Sequence, residues 1–462
     1  MERITRNHEQ NLSLGGIALS AWGVNPDAFQ SVVAVNFIVP DHRLSLPSPD
    51  GDWYIMQTAA PVVGRNEVVL CNTLIPGLEE YYRNIGLIPD NGVIRQIDPY
   101  TNGRLGFGYP STDPMVNMER TGQFFTSENG FRGQVLVPSF MSPQIRLNAL
   151  RLNLHTLPMP DSVITNNKAT FRSNAQRFGY TVLPGFIIQE DCQLQDVSEQ
   201  ASDYQTGAWV KLPTGSGGDL VRFIERVNRD SIIDASTYLR NAVGRSLEQG
   251  EFGVDLEQFW PQDRLSPEGF PLVVEADARN FGKIVLNASS QFIAHRDHTD
   301  ILAHAAQVTT DDGEYLGSAG INESDLGNLI DPQVLEQEIS RVARYNREAN
   351  GFVGLQGIDW FLIEDRTGAR RPFVVELNSR PIVSTMPVII SRRLGYSQWL
   401  NINCYTDVPI TDFRDYESLV SRTLAYGQDA RGIVIPQSFR TLVSTENIFP
   451  SPRRCLCGSL LS

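Results

Sequence analysis

The sequence predicts a multidomain protein of the α/β (α+β) class, and three observations predict it. Its 462 residues exceed what one hydrophobic core serves and fit roughly two to four packed units. Strand-like apolar runs alternate with helix-like amphipathic segments along most of the chain. Gly- and Pro-rich connectors such as YTNGRLGFGYPSTDP separate them.

Residues 1–155 read as an N-terminal α/β unit. SVVAVNFIVP (31–40), EVVLCNTLI (67–75) and GQVLVPSF (133–140) have strand character, and GLEEYYRNIGLI (77–88) reads as a helix. A second unit spans 156–400. Its first helix has Thr165 as N-cap and Gly179 as terminator. YTVLPGFII (180–188) is turn and strand, and AWVKLPTGSGGDLVRFIERV gives a strand, a Gly-rich loop and a helix. FPLVVEADA (270–278) is an apolar strand that ends in two carboxylates. DPQVLEQEISRVARYNREANG carries Asp331 as N-cap, Pro332 at the first helical position and Gly351 as terminator. GIDWFLIED (357–365) and PFVVELN (372–378), joined by RTGARR, form a hairpin with Gly368 in its turn. Residues 401–462 form a small C-terminal unit, and its last stretch, CLCGSLLS, reads as a frayed tail.

Composition narrows the function classes. A formal charge of −14, with no basic run, argues against nucleic acid as a partner. No stretch of 18 apolar residues is present, so no membrane span is expected. The N-terminal segment has no apolar core of signal-peptide type. Five scattered cysteines read as free thiols, and the expected compartment is the cytoplasm. The chain holds 36 arginines but three lysines, Lys168, Lys211 and Lys283, so the position of each lysine carries information.

The chemistry-bearing positions begin with the hairpin. In VVELNSRPI, Glu376, Asn378 and Arg380 recur at every second residue, which puts them on one face of an extended strand. Asp359 lies on the neighbouring strand. Asp359, Glu376 and Asn378 together offer hard oxygen donors of the kind Mg²⁺ takes, with Mn²⁺ as an alternative. The competing reading is an exposed face on which Glu376 pairs with Arg380 or Arg371, and strand pattern alone does not separate the two. Lys211 stands four residues before Gly215, Ser216, Gly217 and Gly218. A P-loop places its lysine after the glycines, so this is not one. The loop's backbone N–H groups can still cradle phosphates, because glycine permits close approach. Lysine suits phosphate as a compact point charge.

In this order, with Lys168 first, Lys211 and the Gly-rich loop next, then VVEADA and the D…ExN set, the chain resembles the ATP-grasp superfamily. The resemblance covers about residues 156–400. It implies ATP and Mg²⁺ as cofactors. Lys168, Lys211, Gly215, Ser216, Gly217, Gly218 and Glu275 are then the nucleotide-binding residues, Glu275 as the polar contact of an adenine hinge. Asp359, Glu376 and Asn378 become the metal ligands, and Arg380, with Lys211, acts at the reacting phosphoryl group. A pre-grasp domain (1–155), a lid of about 181–272 and a small C-terminal domain (401–462) complete the expected architecture. LVPSFMSPQIRLNAL, NNKATFRSNAQRFGYTVLPG and QVTTDDGEYLGS look like bacterial ATP-grasp peptide ligases of natural-product biosynthesis, of the pheganomycin type. In such relatives Gln307 and Gly317 fall beside the nucleotide cleft. The implied activity joins a small-molecule or peptide carboxylate to an amine through an acyl phosphate, in an enzyme that is a homodimer in some relatives. A carboxylase, a kinase-like member and a non-catalytic nucleotide-binding scaffold are the alternatives. One departure stands out: D-alanine ligases carry a basic residue two before the aspartate, and here it is Gly357.

Two signals are discounted. AHRDHTD contains the HRD of a kinase loop, but Leu302 stands where an asparagine is needed. His295, His298 and His304 fit no standard zinc spacing and read as surface or hydrogen-bonded histidines.

Overall fold

The computed structural model describes residues 12–25, 31–35, 54–55, 62–71, 77–96, 100–101, 104–105, 134–138, 141, 146, 149–150, 154–190, 193, 197–201, 204–213, 221–248, 271–309, 315–382, 384–396, 398–406, 433–442 and 453–461. The Gly-rich loop, Gly215 to Gly218 with Ser216, lies outside them.

The N-terminal unit opens with helix α1 (Leu14–Ala21), which Ser13 caps by accepting from Gly16 N–H at 3.0 Å. Strands β1 (Ser31–Val35) and β2 (Glu67–Cys71), helix α2 (Leu78–Asn84), and strands β3 (Val93–Gln96), β4 (Gln134–Pro138) and β5 (His155–Thr156) follow. The strands form a five-stranded sheet ordered β3-β2-β1-β4-β5, parallel throughout. Val69, Val135 and Leu136 are buried there, as expected of a parallel sheet covered on both faces. Helix α1 serves two cores. Leu14, Ile17 and Ala21 pack in one cluster with Ile293 and Leu355, and Ala18 and Leu19 pack in another with Val135 and Leu136.

Helix α3 (Lys168–Phe178) leads into an antiparallel sheet of four strands: β6 (Gly185–Ile188), β7 (Ala208–Lys211), β8 (Val221–Ile224) and β9 (Leu272–Ala276), ordered β8-β7-β9-β6. Two expectations are corrected here. The N-cap of α3 is Asn167, whose side chain accepts from Thr170 N–H at 2.9 Å; Thr165 ends a preceding short helix instead. LVRFIERV is not a helix but supplies β8, because Trp209 and Phe223 face each other across the ladder with ring centroids 5.0 Å apart. The helix comes later, as α4 (Arg229–Glu248), whose Ile232, Ala235 and Leu239 pack with Val210, Leu272 and Val274. Helix α4 therefore covers one face of this sheet. Gly179 and Gly351 do end their helices in the left-handed conformation, and Asp331 caps its helix.

The largest sheet has nine strands. In chain order these are the short strand Tyr54–Ile55, then β10 (Lys283–Ala294), β11 (Thr299–Thr309) and β12 (Tyr315–Ile321). Helix α5 (Pro332–Asn350) intervenes, followed by β13 (Gly354–Glu364) and β14 (Arg370–Asn378), then helix α6 (Thr385–Leu394), β15 (Trp399–Thr406), β16 (Ile433–Leu442) and β17 (Arg453–Leu461). The spatial order is β14-β13-β10-β11-β12-β15-β17-β16 with Tyr54–Ile55 at the far edge. The CLCGSLLS stretch is thus no frayed tail: it lies in β17, paired on both sides by β15 and β16. Helix α5 buries Leu335, Ile339, Val342 and Ala343, spaced as one helical stripe, against Ile358, Trp360 and Leu362 of β13. Leu335, Ile339 and Val342 each contribute about 1.5–3 kcal/mol on burial. Among the described residues no helix is long and apolar enough to cross a membrane.

Candidate functional site

Strands β13 and β14 meet with Asp359 directly opposite Glu376 and Gly357 opposite Asn378. The register then slips, so that Trp360 faces Val374. This bulge decides what faces where. Val374 and Glu376 are two apart and would share a face of a regular strand. The extra residue flips the phase, so Val374 enters the core beside Trp360 while Glu376 stays on the face of Asp359. The Val374 N–H, released from the ladder, donates to Thr181 O at 2.8 Å.

Asp359 is held at both oxygens. Gln307 Nε2 donates to Oδ1 at 2.7 Å and Asn378 Nδ2 donates to Oδ2 at 3.1 Å. Burial, and then the neighbouring Glu376 carboxylate, push the Asp359 carboxyl up to about 7; the two amides and the Arg380 charge pull the other way. Two carboxylates side by side with two carbonyl-bearing amides form an oxygen-rich, electron-rich set that a hard divalent cation fits. Glu376 does not pair with Arg371 or Arg380. Its ion pair is with Lys168, whose Nζ lies 3.1 Å from Oε1.

Lys168 reaches Glu376 because the start of α3 is pinned to the end of β14. Ser379 N–H donates to Asn166 Oδ1 at 2.7 Å, and Ser379 Oγ donates to Thr165 O at 3.2 Å. Lys168 N–H in turn donates to Pro213 O at 2.6 Å, tying the same helix start to the segment just after Lys211. One turn on, Arg172 reaches the four-stranded sheet. Its Nη1 donates to Leu183 O at 2.6 Å, and its Nη2 pairs with Glu275. The second oxygen of Glu275 pairs with Lys211. The three side chains are nearly closed to solvent, at 9% for Arg172, 4% for Glu275 and 8% for Lys211. Two cations share one carboxylate, so this cluster carries a surplus positive charge. Gly185 makes room for it: a Cβ there would stand 2.8 Å from Arg172 Nη1 and 2.3 Å from Val274 O.

The structure thus brings Lys168, Asp359, Glu376 and Asn378 together, with Arg380 near enough to act on Asp359, and places Glu275 with Lys211. Residue Arg172 was missed by sequence reasoning, although its i, i+4 spacing from Lys168 was available as a signal. Gln307 and Gly317 lie in paired strands, Gln307 opposite Ser318 and Gly317 opposite Val308. The place of the basic residue that D-alanine ligases carry is filled here: a Cβ on Gly357 would meet Ile382 Cδ1 at 2.7 Å. Of the three histidines set aside above, His304 turns inward to Ser290 Oγ at 2.8 Å, away from the other two.

No family model matches the sequence, and no curated protein matches it. Solved structures do match in shape. A biotin carboxylase from Campylobacter jejuni, described as a β,γ-ATP complex, aligns over 94% of this chain and 87% of its own with a TM-score of 0.51 at 11% identity. The biotin carboxylase domain of Hydrogenobacter thermophilus 2-oxoglutarate carboxylase covers 94% and 86%, with a TM-score of 0.49 and 12% identity. An N5-carboxyaminoimidazole synthetase from Staphylococcus aureus covers 94% of both chains, with a TM-score of 0.46 and 12% identity. At such identities the likeness speaks for the fold, and the chain has the multidomain ATP-grasp fold.

Proposed function

We propose that the chain is an ATP-dependent ligase that joins a carboxylate to an amine through an acyl phosphate, releasing ADP and phosphate. One observation carries the reading: Asp359, Glu376 and Asn378 converge across β13 and β14 while Lys168 pairs with Glu376 from the helix that also anchors Lys211. Asp359, Glu376 and Asn378 are the residues to hold Mg²⁺, or Mn²⁺ in its place. Such an ion, when bound, offsets phosphate charge and polarises the transferring phosphoryl group.

The chain's own groups supply the rest. Lys168 and Lys211 neutralise the nucleotide phosphates, and Gly215, Ser216, Gly217 and Gly218 cover them with backbone N–H groups. Glu275 is the polar contact of the adenine hinge in this reading, and its carboxylate also holds Lys211 in place with Arg172 behind it. Gln307 fixes the orientation of the Asp359 carboxylate. Arg380 steadies the oxyanion that develops when the amine attacks the acyl carbon, and the departing phosphate. The finer reading is a peptide ligase of natural-product biosynthesis, acting on a small-molecule or peptide carboxylate and an amine acceptor, in the cytoplasm and as a homodimer. The domains follow the same reading: 1–155 before the grasp, 156–400 the grasp with its lid at about 181–272, and 401–462 after it.

The test is ADP release from ATP and Mg²⁺ with mixtures of carboxylates and amines, with products read by mass spectrometry. ADP together with a new amide is the expected result, lost in Glu376→Gln. ADP that depends on bicarbonate indicates a carboxylase instead, ADP with a phosphorylated substrate a kinase, and no ADP with any substrate a scaffold.

A further inference from the structure

The turn between β10 and β11 gathers His295, His298 and Asp300, none of which belongs to the site above. Ser289 of β10 stands opposite Asp359, and six strand residues from Ser289 to His295 place the turn about 20 Å away. The ligand atoms of the three residues lie within 4.8 Å of one another. His295 Nε2 is 3.0 Å and His298 Nε2 3.7 Å from the same oxygen, Oδ2 of Asp300. The two rings are stacked, 3° from parallel with centroids 4.1 Å apart.

Proton counting makes this cluster informative. His298 Nδ1 lies 2.7 Å from Asp297 Oδ1, so the ring stands between two carboxylates. The Nε2 atoms of both rings face the same oxygen of Asp300. A neutral imidazole has one N–H and cannot donate to two acceptors, so a neutral His298 that donates to Asp297 turns a lone pair toward Asp300. A divalent ion at the paired Nε2 atoms removes that conflict. His298 Nδ1 then keeps its proton for Asp297, the arrangement metal-bound histidines adopt.

We propose that His295, His298 and Asp300 form a binding site for a first-row divalent transition ion, with Asp297 as an outer support. Two imidazoles and one carboxylate suit such ions and leave coordination positions open. Metal bonds of about 2.1 Å need donor atoms roughly 3.0–3.4 Å apart. The His295–Asp300 distance already meets this, and a small tilt of the His298 ring out of the stack brings in the third donor. His298 is free to tilt, being 56% exposed. The site's role is mechanical. The ion fixes the turn that carries Arg296, whose guanidinium lies 5.0 Å from the centre of the Trp22 ring at the end of α1, and so helps hold the N-terminal unit to the nine-stranded sheet.

The experiment uses the full chain without a histidine tag, stripped with chelator and dialysed. Asp359→Asn with Glu376→Gln serves as the parent, so that the carboxylates of the other site do not bind the probe. Zn²⁺ is titrated by calorimetry, and Co²⁺ by its visible absorption. The expected result is one ion per chain in the parent, with affinity reduced by at least about 100-fold in His298→Ala and roughly 10- to 100-fold in Asp297→Ala. Zn²⁺ should also raise the unfolding temperature of the parent and not that of His298→Ala. Equal binding by parent and His298→Ala, or no binding by the parent at about 1 mM, overturns the proposal. His298 is exposed and outside any core, and circular dichroism confirms that its variant is folded.

Discussion

Asp359→Asn is expected to make the ion-free protein more stable at pH 8 than the parent, while abolishing Mg²⁺-dependent turnover. Burial and Glu376 carry the Asp359 carboxyl from its ordinary 3.8 to about 7. The sign follows from proton counting. Between those values the folded state holds a proton that the unfolded state has lost, so stability falls as pH rises. Below about pH 4 the group costs nothing; above about pH 7 the full difference, about 4 kcal/mol, is present. Asp359 is half-buried, and the solvent it meets screens part of this difference. Between pH 5 and 8 the parent should lose about 3 kcal/mol relative to the variant. The substitution preserves shape: Gln307 can still donate to Oδ1, and Asn378 accommodates the new N–H by turning its amide. The assay is urea unfolding without divalent ions at several pH values, followed through tryptophan emission, since Trp360 adjoins the substituted residue. Added Mg²⁺ should restore much of the parent's stability at pH 8 and leave the variant unchanged. Superimposable pH profiles for the two proteins would refute the reasoning.

The remaining expectations concern the supporting groups. Lys211→Ala removes one charge-assisted contact worth about 1.5–3 kcal/mol, so ATP binding or turnover should fall roughly 10- to 100-fold in steady-state kinetics. Glu275→Gln leaves Lys211 and Arg172 without their shared counter-charge, and urea unfolding should show a loss of about 3–5 kcal/mol. His304 gives a pH effect of opposite sign to Asp359. Burial holds its imidazole down at about 4, so the unfolded state binds the extra proton below about pH 6.5. Stability should then fall by up to about 3 kcal/mol as pH drops toward 4, and His304→Gln should flatten that limb of the unfolding profile.

The polar face of VVELNSRPI was legible in the sequence as far as Asn378, because strand period aligns it with Glu376, whereas Arg380 lies in the bend past the end of β14. The bulge was not legible. It moves Val374 to the opposite face from Glu376, and a regular alternation would have kept both together. Helix α5 was legible at both ends, since Asp331, Pro332 and Gly351 act locally through capping. The start of α3 was not, because Thr165 and Asn167 are both good N-cap residues two positions apart, and only the structure shows that Asn167 accepts from Thr170 N–H. LVRFIERV misled because its charged residues fit a helix pattern, while its antiparallel pairing with the preceding β7 makes it a strand. The histidines read as surface or hydrogen-bonded groups, and His304 is one, bonded to Ser290. Spacing gave no sign that Asp300 joins His295 and His298, because the turn between β10 and β11 makes that meeting.

The scarcity of lysine, joined to the burial of two of the three, makes the protein its own chemical reporter. Lys168 and Lys211 are 10% and 8% exposed and engaged by carboxylates, whereas Lys283 stands exposed at the head of β10. An amine-directed reagent therefore meets one open lysine and two sheltered ones. Lys283 serves as the internal reference for reagent access. Changes at the other two, read peptide by peptide in a mass spectrometer, report occupancy of the cleft without a substrate having to be known. A ligand library can be screened on that footprint before any turnover is seen.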